Sequence, residues 1–560
     1  GPSVKSSSNS KSSSSSSSKS GGISHSTGDT GTSAAGHQYI VGSCVQLFGL
    51  KKNAHLNNHT ATILSCNTTT RTTGELLFVV ELHQNGAEIK IKQANIRRMT
   101  LDVEKLQPFS GPKPRVIGLS LNHPERSRQS FPPSLSLPEL YPYNVTTTSR
   151  YPQGDLLTSR GGGQYSQRAS KFMRQLNTPK SGGVDIDALR EGAEIHRQVR
   201  RYVQQFIRPG LSTLEIVERI EAAIRFFTES GEKSRETGKK TRRIAKMNIT
   251  DNSQVQQPHL LLDRNITTSS KGGVRPYGFP IGVSLNHVAA HDSPNPKGKL
   301  KILRYSDVLK VDFGPQVRGW IIDAAFTVAF DPRHDELLRA VRDATEAGIR
   351  TAGVGVTLGE VGAAVQRVME SRYTNITSRT ASGSPIPTRH GVRVRVIRNL
   401  CGHNMEQWKI HAGKTVHAVA CSDDTVMEEG EVYAIETFGS TGNGFVVEGS
   451  DCSHYMWNYD EEAPDPNVIK HHLRMQNKTS AIQLMNHIMR RHKTLAFCRR
   501  WLDQEGFKNH KSALERLVRL GVVMEYPPLE DRAGCYTAQF EHTIYLGPDG
   551  KEVLTRGEDY

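Results

Sequence analysis

The stretch KVDFGPQVRGWIIDAAF, residues 310–326, decides the fold of this chain. Two mostly apolar runs, 310–313 and 321–326, are separated by a segment that contains Pro315 and Gly319. Both of these residues interrupt strands and favour turns, so the pattern predicts a β-hairpin whose strands are largely buried. The hairpin matters because each of its strands carries one carboxylate.

The two carboxylates are Asp312 and Asp323. If the turn is centred on Val317 and Arg318, the two aspartates face each other directly across the hairpin. Like charges that lie opposite each other in an apolar sheet repel, and their burial adds a desolvation cost. A shared proton or a bound cation would relieve both costs. The alternative is a pair of exposed acids near a turn, which the apolar neighbours disfavour.

Three further polar residues lie in later segments that are predicted to be strands or strand ends. His403 follows a glycine, Glu436 lies in VYAIETF (432–438), and Glu541 lies in QFEHTI (539–544). A single histidine or glutamate in such a place is more often a hydrogen-bonded structural residue. Two aspartates, one histidine and two glutamates on separate strands are, in contrast, the ligand set that binds two divalent ions.

The order and context of these residues resemble the pita-bread metallopeptidases, and among them the type-2 methionine aminopeptidases. The resemblance covers about residues 186–560 and implies an α+β pita-bread fold with a helical insertion at about 462–525. The segments that carry it are GFPIGVSLN (278–286), AAH (289–291), IIDAAF (321–326), GH (402–403), IHAGK (410–414), MEEGEVYAIETFGS (427–440), CSHYM (452–456), LAFCRRWLD (495–503), YPPL (526–529) and YTAQFEHT (536–543).

The resemblance implies that five residues bind two divalent metal ions as cofactors, with Mn, Co, Zn and Fe all compatible. These ligands are Asp312, Asp323, His403, Glu436 and Glu541. Glu436 would also take and return the proton of the attacking water, as general base and general acid.

The resemblance also implies roles for six residues that contact the substrate. His411 would hydrogen-bond the tetrahedral intermediate, and His291 would position the scissile peptide, so both count as catalytic. The pocket for the methionine side chain would be formed by Phe279, Ile410, His454 and Tyr526. Without the resemblance, each of these four pocket residues would be interpreted as ordinary core.

The implied activity is removal of the initiator methionine from nascent proteins and peptides when a small residue follows it. One alternative is an X-Pro peptidase of the same fold, which would use the same five ligands. The helical insertion and the YPPL segment at 526–529 argue against it. A second alternative is a non-catalytic ribosome-associated homologue, but such proteins lack several of the ligands that this chain retains.

Composition divides the chain into four parts. Residues 1–36 are rich in Ser and Lys and are predicted to be a disordered tail. Residues 37–109 show period-two alternation and an Asn85-Gly86 hairpin signal, which resembles a small Src-homology-3-like β-barrel. Residues 110–184 are predicted to be a linker or arm, and residues 185–560 the metallopeptidase domain.

The formal net charge of +16 predicts attraction to polyanions. No RNA-recognition motif is evident, so we expect ribosome association without sequence-specific nucleic-acid binding. The seven cysteines show no CxxC spacing, and no charged-then-apolar start suggests a signal peptide. No apolar run approaches the roughly 18 residues that cross a bilayer. We therefore expect a cytoplasmic monomer that does not bind membranes.

Overall fold

The computed structural model describes residues 44–68, 76–98, 133–141, 151–157, 183–236, 274–374, 391–460, 462–507 and 509–560. The predicted disordered tail at 1–36 and most of the predicted arm at 110–184 lie outside the described residues. The helices are α1 (Leu137–Leu140), α2 (Ile186–Phe206), α3 (Thr213–Glu236), α4 (Asp335–Thr351), α5 (Leu358–Met369), α6 (Pro466–Met475), α7 (Thr479–Arg491), α8 (Arg499–Gln504) and α9 (Lys511–Arg519).

The strands fall into two groups along the chain. Those that precede α2 are β1 (Cys44–Leu47), β2 (Thr60–Thr68), β3 (Leu76–Leu82), β4 (Glu88–Lys92), β5 (Ile96–Arg98) and β6 (Asp155–Leu157). Those that follow α3 are β7 (Gly282–Leu285), β8 (Val288–Ala290), β9 (Val308–Phe313), β10 (Gln316–Val317), β11 (Trp320–Ile321), β12 (Ala324–Ala329), β13 (Tyr373–Thr374), β14 (Val392–Arg393), β15 (Arg395–Val396), β16 (Gly402–Met405), β17 (Thr415–Val416), β18 (Val432–Ser440), β19 (Val447–Glu448), β20 (His454–Trp457), β21 (Phe497–Cys498), β22 (Val523–Tyr526), β23 (Leu529–Glu530), β24 (Thr537–Gly547) and β25 (Gly550–Val553).

The first five strands form one antiparallel sheet in the order β4-β3-β2-β1-β5. Its two edge strands, β4 and β5, are joined by only three residues, Gln93–Asn95. Three residues span at most about 11 Å, whereas the edges of five flat strands would lie about 19 Å apart. The sheet must therefore curl, and the predicted barrel-like module is confirmed as a half-barrel.

The loop between β3 and β4 carries the predicted Asn85-Gly86 signal. The Leu82 N–H donates to the Ala87 carbonyl and the Gly86 N–H donates to the Leu82 carbonyl, each at 2.9 Å. Gly86 has a positive φ of 70°. A Cβ at this glycine would lie 2.5 Å from the ring of Tyr305, so its absence lets the loop pack against the main part of the chain.

Two helices open the main part of the chain as predicted. The α2 helix ends at Phe206, shortly before the helix-breaking pair Pro209-Gly210. The α3 helix begins after Ser212, whose Oγ accepts a hydrogen bond from the Glu215 N–H at 3.1 Å. Both helices contribute apolar side chains to the largest hydrophobic core, including Leu189 and Ile220.

A seven-stranded sheet is the centre of the main part. Its order is β17-β16-β18-β24-β25-β6, and β15 also pairs with β18. A separate three-stranded sheet, β12-β9-β7, packs against it. This mixture of sheets and flanking helices confirms the predicted α+β class.

The predicted helical insertion is also present. Helices α6 to α9 lie between β20 and β22, and these two strands pair with each other. Because the two ends of the insertion meet in one sheet, His454 lies directly opposite Tyr526. The insertion therefore sets the relative position of two residues that were predicted to contact the substrate.

Candidate metal centre and substrate cavity

The β9–β12 hairpin turns one residue later than predicted. Val317 pairs with Trp320, so the turn is centred on Arg318 and Gly319, whose φ angles are +53° and +88°. A two-residue turn of this kind needs positive φ at both central positions, and a β-branched valine adopts that conformation poorly. The predicted centre on Val317 and Arg318 was therefore wrong.

The shifted turn changes how the two aspartates meet. Asp312 lies opposite Ala325, and Asp323 precedes β12 by one residue. Because side chains alternate along a strand, Asp323 is on the same face as Ala325 and lies diagonally across from Asp312. Carboxylate oxygens of Asp312, Asp323 and Glu541 can still lie within 4.8 Å of one another.

The other three predicted ligands come from neighbouring strands of the large sheet. Glu436 on β18 lies directly opposite Glu541 on β24. His403 on β16 pairs opposite Ala434, which places it diagonally from Glu436. The Nε2 atom of His403 is 3.5 Å from Asp323 Oδ2 and 3.8 Å from Glu436 Oε1. The structure thus brings all five predicted ligands together.

Threonine hydroxyls join the two sheets at this point. Thr543 Oγ1 accepts from the Asp323 N–H at 2.8 Å and donates to the Asp323 carbonyl at 2.6 Å. Thr327 Oγ1 donates to the Gln539 carbonyl at 2.7 Å and accepts from the Gln539 N–H at 2.8 Å. These bonds fix the hairpin across β24, next to the carboxylate of Glu541.

Tyr560 also connects both ligand-bearing elements. Its hydroxyl lies 2.9 Å from the backbone carbonyl oxygen of Glu541 and also contacts that of Ala325. Its ring stacks against the guanidinium of Arg200, 4.8 Å from the ring centroid. The neighbouring Asp559 accepts hydrogen bonds from Arg200 at 2.6 and 2.5 Å.

Burial disfavours the charged form of each of the four carboxylates. It raises the pKa of Asp312 to about 7. The pKa of Asp323 rises well above its usual range because of burial and then the charge of Asp312. The pKa of Glu436 is also raised well above its usual range, by burial and then by the charges of Asp323 and Asp312. For Glu541 the causes of the raised pKa are burial, then Asp323 and Glu436.

The cluster carries four acids and only one imidazole, that of His403. Within the described ranges, no lysine or arginine forms an ion pair with any of the four carboxylates, and Asp312 Oδ1 and Glu541 Oε1 have no hydrogen-bond partner. Carboxylates with one imidazole suit divalent ions such as Mn²⁺, Fe²⁺, Co²⁺ and Zn²⁺. The residues therefore fit the divalent metals that the sequence predicts.

Gln539 belongs to the site, although sequence reasoning gave it no role. Its Nε2 lies 3.1 Å from Asp312 Oδ2, 3.4 Å from Glu541 Oε2 and 3.5 Å from Glu436 Oε2. It is two residues from Glu541 on the same strand, so alternation alone would have placed both side chains on one face. Glutamine neither titrates nor is a usual metal ligand, so the sequence gave no reason to assign Gln539 to the site.

A cavity of about 230 Å³ lies over the carboxylates. All eleven predicted site residues line it, so the predicted pocket and the predicted ligands share one space. Its wall also contains residues that sequence reasoning did not assign, namely Pro280, Gly282, Ser284, Ala290, Asn399, Leu400, Cys401, Phe438, Met456, Ala496 and Gln539.

Burial lowers the pKa of each of the four histidines of the cavity, His291, His403, His411 and His454. Burial, followed by the charge of His411, lowers the pKa of His291 to about 4. Burial and then His291 lower the pKa of His454 to about 3, and burial lowers the pKa of His411. The ring centroids of His403 and His411 lie 4.5 Å apart, and those of His291 and Tyr526 lie 5.9 Å apart.

Backbone conformation and one serine orient His291. His291 adopts a positive φ of 62°, which is uncommon for a residue with a side chain. Ser453 Oγ lies 3.1 Å from the His291 carbonyl oxygen and 2.9 Å from His454 Nδ1. Ser453 thereby links the two histidines on this side of the cavity.

The chain is similar to known proteins over most of its length. Residues 187–453 match metallopeptidase family M24. The chain is 42% identical over 434 residues to methionine aminopeptidase 2 of Botryotinia fuckeliana, covering 77% of this chain and 82% of that protein. It is 41% identical over 461 residues to methionine aminopeptidase 2 of Komagataella phaffii, covering 82% of this chain and 87% of that protein. A methionine aminopeptidase structure from Rickettsia prowazekii aligns at 16% identity and a TM-score of 0.38, over 66% of this chain and 97% of that one.

In the part of the chain that the structure describes, no helix has the length and apolar character to cross a membrane.

Proposed function

This chain belongs to the methionine aminopeptidase 2 proteins of metallopeptidase family M24 and is a metalloaminopeptidase, and we propose that it removes the N-terminal methionine from nascent proteins and peptides. The observation that carries the proposal is the cluster of four carboxylates and His403 beneath a cavity. Two of the carboxylates are buried and two are partly buried, and none has a lysine or arginine partner among the described residues. The family uses divalent metal, and this cluster is where such ions fit.

We propose that the metal centre holds two divalent ions. Its ligands are Asp312, Asp323, His403, Glu436 and Glu541. When bound, divalent ions lower the pKa of water and polarise the carbonyl of the scissile peptide. The mixture of oxygen ligands and one imidazole is compatible with Mn, Co, Zn or Fe.

The chain's own residues supply the proton transfers. Glu436 faces the cavity with His403 Nε2 3.8 Å from its Oε1. It receives the proton of the attacking water and returns it to the leaving amine. His411 hydrogen-bonds the tetrahedral intermediate, and His291 positions the scissile peptide. Gln539 donates to the carboxylates and limits their rotation.

The methionine side chain binds among four cavity residues. Phe279 and Ile410 are apolar and 8% exposed, whereas His454 and Tyr526 lie opposite each other in one sheet. The second residue shares this cavity of about 230 Å³ with the methionine side chain. We therefore propose that a small residue follows the methionine.

The first test measures free methionine released from Met-Ala-Ser and Met-Val-Ser with Mn or Co present. Wild-type protein should release methionine, and Glu436→Ala should lower kcat/KM by about 10³-fold because the general base is lost. Glu515→Ala, an exposed carboxylate on α9, is the matched control and should retain the wild-type rate. Cleavage of Ala-Pro peptides instead would indicate an X-Pro peptidase. No release of either kind from folded, metal-loaded protein would refute the proposal.

We also propose that the enzyme acts as a monomer in the cytosol, in association with ribosomes. The net charge of +16 supports the association with ribosomes. On the half-barrel, the basic side chains Lys51, Lys52, Lys90 and Arg97 are exposed. The Arg97 guanidinium lies 6.0 Å from the exposed ring of Phe48, a pairing suited to stacked bases. Co-sedimentation with ribosomes should fall with added salt and in the double variant Lys51→Glu, Lys52→Glu. Binding that is insensitive to both changes would contradict this role.

A further inference from the structure

One part of the cavity rim is not used by the proposed reaction. Asn399 lines the cavity and is itself exposed. Its Nδ2 donates to the Val446 carbonyl at 2.8 Å, and its Oδ1 accepts from the Val446 N–H at 3.0 Å. Residues 443–449, here called the rim segment, therefore lie directly beside the cavity wall.

The backbone of the rim segment is fixed at both ends. The two carboxylate oxygens of Asp531 accept from the N–H groups of Asn443 and Gly444, each at 3.0 Å. At the other end, the Gly449 N–H donates to the Pro528 carbonyl at 2.7 Å. Side chains on this segment consequently have defined positions relative to the cavity.

The rim segment presents two large apolar side chains to solvent. Phe445 is 49% exposed and Val447 is 62% exposed, whereas Val446 between them is 4% exposed. Val446 packs with Phe438 and Leu400, and both of these residues also line the cavity. The apolar wall of the cavity thus continues outward, through Leu400, to a rigid apolar surface.

We propose that Phe445 and Val447 bind the substrate polypeptide beyond its second residue and favour apolar side chains there. This inference rests on the proposed function, because the occupant is the chain whose methionine lies in the cavity. A peptide that leaves past Asn399 in extended form advances about 3.4 Å per residue. Because Asn399 is hydrogen-bonded to Val446, the residues that follow the second one pass beside the rim segment. Arg398 and Glu448 are both exposed and carry opposite charges, so together they add no net charge that would select a charged substrate residue.

The test compares three peptides: Met-Ala-Ser, Met-Ala-Ser-Leu-Leu-Ser and Met-Ala-Ser-Ser-Ser-Ser. Wild-type enzyme should cleave the leucine peptide with a kcat/KM about tenfold above that of the serine peptide, through a lower KM. The double variant Phe445→Ser, Val447→Ser should lose that ratio. Leu300→Ser removes an equally exposed apolar residue that does not line the cavity, and it should keep the ratio.

The outcomes separate the inference from the proposed function. Release of methionine from Met-Ala-Ser reports the peptidase activity, and it also reports folding of each variant. Equal cleavage of the leucine and serine peptides by the wild-type enzyme overturns the inference and leaves the peptidase in place. If the double variant keeps the wild-type ratio of kcat/KM for the leucine peptide over the serine peptide, the inference is likewise overturned and the peptidase activity stands. No release from any of the three peptides by wild-type enzyme overturns both.

Discussion

Glu221 in α3 and Glu541 in β24 are equally buried, at 1% exposure each, yet their surroundings differ. Glu221 accepts two hydrogen bonds from Arg500, at 2.9 and 2.6 Å, and one from Trp501 Nε1 at 2.6 Å. Burial alone would raise its pKa, but the charge and hydrogen bonds of Arg500 outweigh burial and lower it. Glu541 faces three other acids, and its pKa is raised.

The contrast shows where the fold supplies a cation and where it omits one. Glu221 connects α3 to α8 in the helical insertion, and its charge is neutralised by the chain itself. Around Glu541 several acids lie together, and no lysine or arginine among the described residues pairs with them. Such an arrangement is costly unless a cation binds from solution. The cluster at Glu541 is therefore suited to binding metal, whereas the ion pair at Glu221 serves the stability of the fold.

The largest expected effect comes from replacing one carboxyl at each site in metal-free protein. Glu221→Gln leaves Arg500 buried without its partner and should cost about 3–5 kcal/mol in the free energy of unfolding. Glu541→Gln removes a carboxyl whose pKa is raised by burial and by its acidic neighbours, so it should stabilise by on the order of 1–2 kcal/mol. Urea denaturation of both variants measures the difference. Loss of stability in both would show that the cluster is not under electrostatic stress.

The pH dependence of stability should differ between wild type and Asp312→Asn. With its pKa raised to about 7, the folded chain holds the Asp312 proton, whereas the unfolded chain releases it above about pH 4. The contribution is fully present below pH 4 and is lost as the pH rises through 7. Metal-free wild type should therefore lose about 2–4 kcal/mol more than the variant over this interval. Parallel profiles would contradict the raised pKa.

Metal should stabilise only through the cluster. After chelation, Mn or Zn at about 100 times its Kd should raise the free energy of unfolding by about 2.7 kcal/mol. Glu221→Gln should keep this gain, and Glu541→Gln should lose most of it. Thermal unfolding with and without metal measures both variants. An equal gain in both would place the binding site elsewhere.

The smallest expected effect concerns Gln539. Replacing it with methionine keeps most of its volume and removes the amide that donates to Asp312, Glu436 and Glu541. Because hydrogen bonds to charged groups contribute about 1.5–3 kcal/mol, kcat/KM should fall roughly tenfold or more. Cleavage of Met-Ala-Ser by Gln539→Met measures this. A wild-type rate would show that the carboxylates keep their positions without the amide.

Much of the fold and site could be predicted because apolar neighbours identify buried polar residues. Asp312, Glu436 and Glu541 each lie in a mostly apolar strand, and that pattern indicated both the strand and an unusual charge. The register of the hairpin could not be predicted as readily. It depends on Arg318 adopting a positive φ, which its side chain does not reveal.

The rim segment was missed for a different reason. Phe445, Val446 and Val447 form an apolar run, and such a run predicts burial of all three residues. Only the pairing of Val446 with Asn399, 47 positions away, shows which side chains remain exposed. Contacts of that separation are set by the whole fold and leave no local pattern.

The contact between Tyr560 and the Glu541 carbonyl has a consequence for the timing of activity. A ribosome makes the chain from its N-terminus, so the hairpin with Asp312 and Asp323 emerges well before Glu541 and Tyr560. A growing copy therefore has an incomplete ligand set until β24, which carries Glu541, has been made. The enzyme becomes competent only after that point, and any trimming of a shorter growing copy falls to molecules that are already folded.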